Sequence, residues 1–466
     1  MIFKIDSRPE SSPALICDDG TVLSYGDLVR EVSGFKRAIK GRRLIFCLCR
    51  NDAAPVIGYL GTLEQGSVML LLAEEPDPDF LSGLIERYSP SYLWRPVKES
   101  EHEAALYRAL GYGLFETGLE SPEMDAELSL LLSSSGTTGS PKLIKLSKKN
   151  LESNAASIAE YLELDENERP LTVLPMQYTF GLSVINSHLY AGAAILMTRS
   201  GIVSQDFWNF LSDNSGTSIS GVPYTYEILR RIRFMERDDT GSLRSMIQAG
   251  GHLPAELQEI YGRWCSDRGI KFFIMYGQTE ATARMSYLPP EDLLRKTGSI
   301  GIAIPGGRFE IIDENGNIIT RPGETGELVY YGPNVSLGYA SCGADLRIPD
   351  ERKGRLVTGD LASFDSEGYY YIRGRLSRFI KLYGVRVSLD ECENILKGLD
   401  VDAEFACTGD DRQLVVFTDS KRCEEIPGYL SGRLKLNIRS FRSVFLERIP
   451  TKESGKPDYS ALKKLI

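Results

Sequence analysis

The chain is poor in the residue types that most often announce a simple function. Its 466 residues include only three histidines, His102, His188 and His252, and they lie far apart. The eight cysteines run from Cys17 to Cys423 without a CxxC pair or any Cys/His spacing suited to zinc. A metal here should therefore be held by oxygen ligands, and the thiols read as free groups in a reducing compartment. Cys47 and Cys49 sit two apart in an apolar run, so they should point to one face of a strand. Positive charge is not in excess: 54 Lys and Arg against 64 Asp and Glu give a net charge of −10, which offers no footprint for nucleic acid. Val68 to Ala73 is too short an apolar run to span a bilayer, and no basic, apolar leader opens the chain, so a cytoplasmic location without a membrane span is expected. Internal repeats are lacking too.

What is present is an alternation of short apolar runs with helical segments. Residues 44 to 49 read as a strand, Ala53 to Thr62 as a helix and Ser67 to Leu72 as the next strand. Leu128 to Leu132 continues the pattern, Ser147 can cap a helix reaching about Leu162, and Leu171 to Leu174 follows as a strand. Ala193 to Met197, Ser218 to Val222, Ser245 to Ala249 and Phe272 to Met275 repeat it before Gly-rich or polar turns. From Gly306 the pattern changes. Phe309 to Ile312, a turn at Asp313 to Asn317, and Gly326 to Tyr331 read as hairpins or a small barrel. After Asp365 to Ile372 and Gly374-Arg375, a helix at Leu389 to Leu396 and a strand at Leu414 to Thr418 suggest a small α+β domain. The expected architecture is α/β: a large N-terminal domain, 1–375, of layered sheets with a small β-barrel-like part, then a small α+β domain, 376–466.

Several segments concentrate chemistry. Ser134, Ser135, Gly136, Thr137, Thr138, Gly139, Ser140, Pro141 and Lys142 follow an apolar strand. Such a turn can wrap backbone N–H groups and hydroxyls around phosphate, although it lacks the Walker arrangement and a solvated loop would look similar. Tyr276-Gly277-Gln278-Thr279-Glu280 ends another strand. Thr358-Gly359-Asp360, Gly374-Arg375 and the polar stretch Pro450 to Lys456 complete the set.

In this order and together, these segments resemble the adenylate-forming enzymes, the superfamily of acyl- and aryl-CoA synthetases, luciferases and acid-activating adenylation domains. The similarity runs from Thr21 to Leu28 through Lys456. It implies ATP-dependent activation of a carboxylic acid to an acyl-AMP, with release of pyrophosphate, then transfer to a thiol. By that resemblance Ser134 to Gly139 and Lys142 hold phosphate, Tyr276 and Gly277 lie beside adenine, Thr279 contacts phosphate and Glu280 holds Mg²⁺. Asp360 binds ribose, Arg375 contacts ribose or phosphate near the domain junction, and Lys456 bridges the acid and the α-phosphate. Ser377, Lys381, Gly384 and Arg386 match the junction that begins the mobile domain and lines the thiol path; Ser377 departs from the usual Asp or Lys of the hinge. Tyr178, Phe180, Gly181, Tyr224, Gly250 and His252 match the acyl pocket, and Gly251 approaches adenine. His188 reads as packed. No Asp stands at Thr179 to Gly181 to pair an ammonium group, so an acid without an α-amino group is expected. CoA is the expected acceptor, with the phosphopantetheine of a separate carrier protein as the alternative and a catalytically silent binding module as a third reading. No carrier domain is recognised, so a stand-alone ligase is expected.

Overall fold

The computed structural model describes residues 1–97, 105–133, 142–382, 385–410, 412–434, 436–451 and 457–466, with 377, 379, 381, 385 and 386 described by backbone only. The phosphate-loop residues Ser134 to Gly139, Gly384 and Lys456 thus lie outside the described residues, and Ser377, Lys381 and Arg386 enter by backbone alone.

The chain forms two compact units. One comprises residues 1–309 and 330–356, the other 310–329 and 357–466. The first is built on two large sheets with parallel centres and antiparallel edges. The eight-stranded sheet runs, edge to edge, through Gly338–Ala340, Leu143–Ser147, Leu128–Ser133, Val68–Ala73, Leu44–Cys49, Tyr92–Pro96, Tyr112–Glu116 and Tyr107–Ala109. Its four central strands pair in parallel. Parallel strands need crossover helices, which is why apolar runs and helical segments alternate along the sequence.

Strand Leu44–Cys49 shows how this sheet feeds two cores. Ile45, Cys47 and Cys49 turn to one side, against helices Tyr25–Ala38 and Ala53–Gln65. Leu44, Phe46 and Leu48 turn to the other, towards Leu84 and Tyr88. Cys47 and Cys49 do share a face, with their sulfurs 3.5 Å apart. Helix Ala53–Gln65 begins where Asp52 accepts from the Ala54 N–H, and it stops at Gly66, whose φ of 79° allows the left-handed cap.

The nine-stranded sheet carries the candidate site. Its order is Ile302–Ala303, Ser286–Leu288, Lys271–Tyr276, Ser245–Gln248, Ser218–Gly221, Pro170–Thr172, Ile195–Met197, Pro13–Cys17 and Val22–Ser24. The strand expected at Leu171 to Leu174 is shorter and opens on Pro170, a position where the missing N–H costs no ladder bond. The helix Thr179–Ala191 is not foreseen in the sequence, because eleven of its residues are buried and it has no polar stripe to reveal a helical period.

A four-stranded sheet comes next, ordered Arg308–Ile312, Gly326–Tyr331, Arg355–Phe364 and Tyr370–Arg375. The second unit ends in a three-stranded sheet of Phe405–Gly409, Leu414–Thr418 and Phe441–Phe445. One face, with Phe405, Cys407, Leu414 and Val416, packs on Leu389, Cys392, Ile426 and Leu430. The other, with Ala406, Val415 and Phe417, packs on Ile449 and Leu462. The architecture is α/β, with a large sheet-rich N-terminal part and a smaller C-terminal one. No helix among the described residues is long and apolar enough to cross a membrane.

Trp94 ties the first sheet to its helices. It is fully buried, lies edge-on to Phe35 at 5.0 Å, and donates from Nε1 to Ala54 O at 2.9 Å. Trp94→Ala is expected to cost about 4 kcal/mol, from the cavity and an unanswered carbonyl; urea unfolding monitored by circular dichroism checks this.

Candidate active site

The chemistry-bearing side chains of the first unit gather where strand Lys271–Tyr276 ends. Gly277 follows, and a methyl group there would come within 1.6 Å of the Ala283 carbonyl oxygen, so only glycine lets the chain double back so closely. Thr279 to Ala281 make one short 3₁₀ turn, then Thr282 and Ala283 take positive φ values of 59° and 121°. Conformations of this kind cost roughly 1–3 kcal/mol each and persist where surrounding contacts impose them. Asn334 imposes them here. Its Nδ2 donates to Ala281 O at 2.8 Å and Arg284 O at 2.9 Å, and its own carbonyl accepts from Thr282 Oγ1 at 2.6 Å. Tyr330 OH fixes the Asn334 amide by donating to Oδ1 at 2.9 Å.

This turn holds Thr279 and Glu280 half exposed. The Thr279 hydroxyl accepts from Thr179 Oγ1 at 2.9 Å, which joins the turn to the first residue of helix Thr179–Ala191. Glu280 accepts from Tyr339 OH at 2.8 Å. Burial raises the Tyr339 pKa and the Glu280 carboxylate raises it further, so the phenol stays a donor. Two cations lie against the same ring: Arg352 at 4.6 Å and Lys142 Nζ at 5.9 Å from its centre. Tyr339 and Arg352 escape sequence reading because they are more than fifty positions from Glu280. The pairing of Gly338–Ala340 with Leu143–Ser147 places Tyr339 opposite Ile144 and so beside Lys142.

The acyl-pocket candidates also converge in part. Gly250, at φ 81°, lies so close to Tyr178 that a methyl group would fall 2.5 Å from the phenol oxygen. Tyr178 and Phe180 have ring centres 6.4 Å apart. Gly181 packs on the Leu174 and Pro175 carbonyls, where a side chain would not fit. Gly251 rests near Pro223, Tyr224 is 54% exposed, and His252 is exposed. Sequence reading also missed Arg284, which lies over the Phe180 ring at 4.1 Å.

The second unit holds the other named residues. Asp360 is 3% exposed and pairs across the ladder with Arg375, whose Nε donates to Asp360 Oδ1 at 3.1 Å. Arg378, which lies within the junction stretch but is given no role by the sequence, organises the C-terminal elements around itself. It meets Asp390 at 2.7 Å and Glu393 at 2.5 Å, donates to Cys407 O at 2.8 Å, and lies 3.8 Å from the Tyr459 ring centre. Tyr459 OH returns to Glu393 at 3.1 Å. Burial raises the Glu393 pKa, against the pull of Arg378, while the facing carboxylates keep the guanidinium charged. Thr451 bridges to Pro457, and the Asp458 N–H donates to Pro450 O at 2.7 Å. The two ends of the stretch that contains Lys456 therefore meet in a closed neck.

An open, polar depression lined by Arg169, Thr217 and Arg244 lies at the opposite ends of the strands. These residues precede strands Pro170–Thr172, Ser218–Gly221 and Ser245–Gln248, whereas Gly250 and Tyr276 follow or end theirs. In sheets of this kind ligands sit at the carboxyl ends, which favours the Tyr276 side.

These features meet independent likenesses. Residues 4–340 match the model of the AMP-binding enzyme family, and the chain belongs to that family. It is 31% identical over 448 residues to oxalate–CoA ligase of Arabidopsis thaliana, covering 91% of this chain and 81% of that protein. A feruloyl-CoA synthase of an Amycolatopsis species is 28% identical over 466 residues, covering 94% and 92%. The fold matches O-succinylbenzoate coenzyme A synthetase of Bacillus subtilis, solved in complex with ATP and magnesium ion, at a TM-score of 0.79 with 24% identity, over 99% of this chain and 98% of that one. ATP-bound MatB from Rhodopseudomonas palustris gives 0.78 at 20% identity, over 100% and 99%.

His188 is 1% exposed, as its apolar run suggests, and pairs through Nδ1 with Val184 O at 2.8 Å. Burial, aided by Arg284, lowers its pKa from 6.5 to about 4. Between those values the unfolded chain takes up a proton that the folded chain excludes, so stability falls as pH falls through this window, by up to about 1.4 kcal/mol per unit. Urea midpoints for wild type and His188→Gln at about pH 7 and pH 5 should show a shallower pH dependence in the variant; equal slopes would contradict the assignment.

Proposed function

We propose that this chain is an AMP-forming acid–thiol ligase: it activates a carboxylic acid without an α-amino group as an acyl-AMP and passes the acyl group to a thiol, CoA in preference to a carrier's phosphopantetheine. The observation that carries this reading is the turn from Tyr276 to Ala283, pinned by costly backbone geometry at Thr282 and Ala283, with Thr279 and Glu280 held half exposed at the carboxyl end of a parallel strand. Relatives named as CoA ligases, feruloyl and oxalate among them, support the choice of acceptor.

Each residue has a stated part. Ser134 to Gly139 and Lys142 hold the ATP phosphates, Tyr276 and Gly277 with Gly251 flank adenine, and Asp360 and Arg375 take the ribose. Attack of the acid's carboxylate on the α-phosphate brings two anions together, and Lys456 offsets that repulsion while Thr279 donates to the phosphate. Magnesium suits the donor chemistry: Glu280 would supply it a hard carboxylate oxygen. Bound there, it would neutralise charge as pyrophosphate leaves. Tyr178, Phe180, Gly181, Tyr224, Gly250 and His252 shape the acid's pocket. We place the domain junction at 375/376, read the strands from Gly306 to Arg375 as the barrel-like part, and take Ser377, Lys381, Gly384 and Arg386 as the hinge and thiol path of a C-terminal domain that turns between half-reactions.

The test is ATP–pyrophosphate exchange across an acid panel, followed by mass analysis of product with CoA and with candidate carriers. Acid-dependent exchange and an acyl-CoA mass are expected; exchange with capture only by a carrier would move the acceptor, and no exchange with any acid would favour a silent module. Lys456→Ala should lower exchange by roughly 100-fold or more with unchanged ATP binding. Asp360→Ala should weaken ATP binding by about tenfold or more, since the ribose hydroxyls lose their carboxylate acceptor; calorimetric titration with ATP reads that loss.

A further inference from the structure

Arg284 carries a positive charge into the interior, and among the described residues no carboxylate pairs with it. The side chain is 2% exposed. Its Nε and Nη2 each donate to Ser183 Oγ at 3.2 Å, Nη1 meets Met275 Sδ, and the guanidinium lies 4.1 Å from the Phe180 ring centre. Among the described residues, the ionisable groups coupled to it are the Tyr161 and Tyr178 hydroxyls and the His188 imidazole; burial raises the pKa values of both phenols and, with Arg284, lowers that of His188, so all three stay neutral near pH 7. Arginine does not give up its proton in proteins, so the charge stays. A buried cation without an anion is penalised by several kcal/mol, and an apolar side chain of similar length would escape that penalty.

The position of Arg284 says what could offset the cost. It follows Glu280 by four residues on the pinned turn and lies over Phe180, beside Tyr178. Helix Thr179–Ala191 sets the spacing: Thr179 reaches Thr279, and Ser183, about one turn later and about 6 Å along the axis, reaches Arg284. The phosphate-side hydroxyl and the guanidinium are thus bonded to successive turns of one short helical stretch.

We infer that Arg284 receives a second anionic group on the acid, so that the substrate is a compact dicarboxylic acid, activated at the carboxylate near Thr279 and held by Arg284 at the other. This rests on the acid-activating reading above and narrows its substrate class. A guanidinium binds a carboxylate through two parallel N–H donors, geometry that a terminal methyl group cannot use. A site built for such a partner rejects the analogue lacking it far more strongly than an apolar pocket rejects a changed methylene. The competing role is a strut, in which Arg284 only ties Ser183 and Met275 to the turn.

The experiment compares acids of equal length in ATP–pyrophosphate exchange: malonic with propionic, succinic with butyric, glutaric with valeric. Wild type should favour the dicarboxylic member of at least one pair by roughly 100-fold in kcat/KM. Arg284→Met should reverse that preference, lowering the dicarboxylic acid and raising its methyl-ended partner, while Arg284→Lys should keep part of it. A strut predicts that Arg284→Met lowers both members by the same factor, and that result overturns the inference. So does a wild type that prefers the methyl-ended acids, which leaves acid activation standing; exchange with no acid at all takes down the acid-activating reading and this inference together. If Arg284→Met does not fold, the wild-type preference within each pair decides alone.

Discussion

Everything proposed for the first unit depends on the chain doubling back within a few ångströms of itself after Tyr276. Gly277 permits the approach to the Ala283 carbonyl, and Asn334 holds the strained return at Thr282 and Ala283 from outside the loop. The unfavourable conformation is offset by hydrogen bonds that no relaxed turn would make. One short segment then presents three different groups in fixed order: the Thr279 hydroxyl, the Glu280 carboxylate and the Arg284 guanidinium. Helix Thr179–Ala191 contacts the first and last of these through Thr179 and Ser183. The Thr279 hydroxyl and the Arg284 guanidinium are therefore tied to one helix by direct side-chain bonds.

The second unit solves a similar problem with charge. Arg378 is met by two carboxylates, a carbonyl and an aromatic face, so that helix Leu389–Lys397, strand Phe405–Gly409 and Tyr459 share one centre. Tyr459 stands just beyond the neck that closes the Lys456 stretch. The anchored Tyr459, together with buried Ile449 and Leu462, fixes the described residues on either side of that stretch.

Strand positions were legible because alternation and length are local properties: 44–49, 128–132, 218–222, 245–249 and 414–418 all match within a residue or two. The helix at Thr179–Ala191 was hidden, since a helix buried on every side has no polar period. Site residues with a motif were named from sequence, and the described ones converge in part: Tyr178 with Gly250, and Asp360 with Arg375. Tyr339, Arg352, Arg378 and Asn334 were not, because their roles arise from strand pairing and packing between distant segments. Arg284 was visible in the sequence as a charge four residues beyond Glu280, but only burial without a counter-charge makes it informative.

The central claim is that the pinned turn binds a magnesium nucleotide. A crystal structure of the protein grown with ATP and magnesium addresses it directly. The account predicts adenine beside Tyr276 and a metal about 2.1 Å from a Glu280 carboxylate oxygen. Nucleotide bound elsewhere, with Glu280 still engaged only by Tyr339, would contradict it.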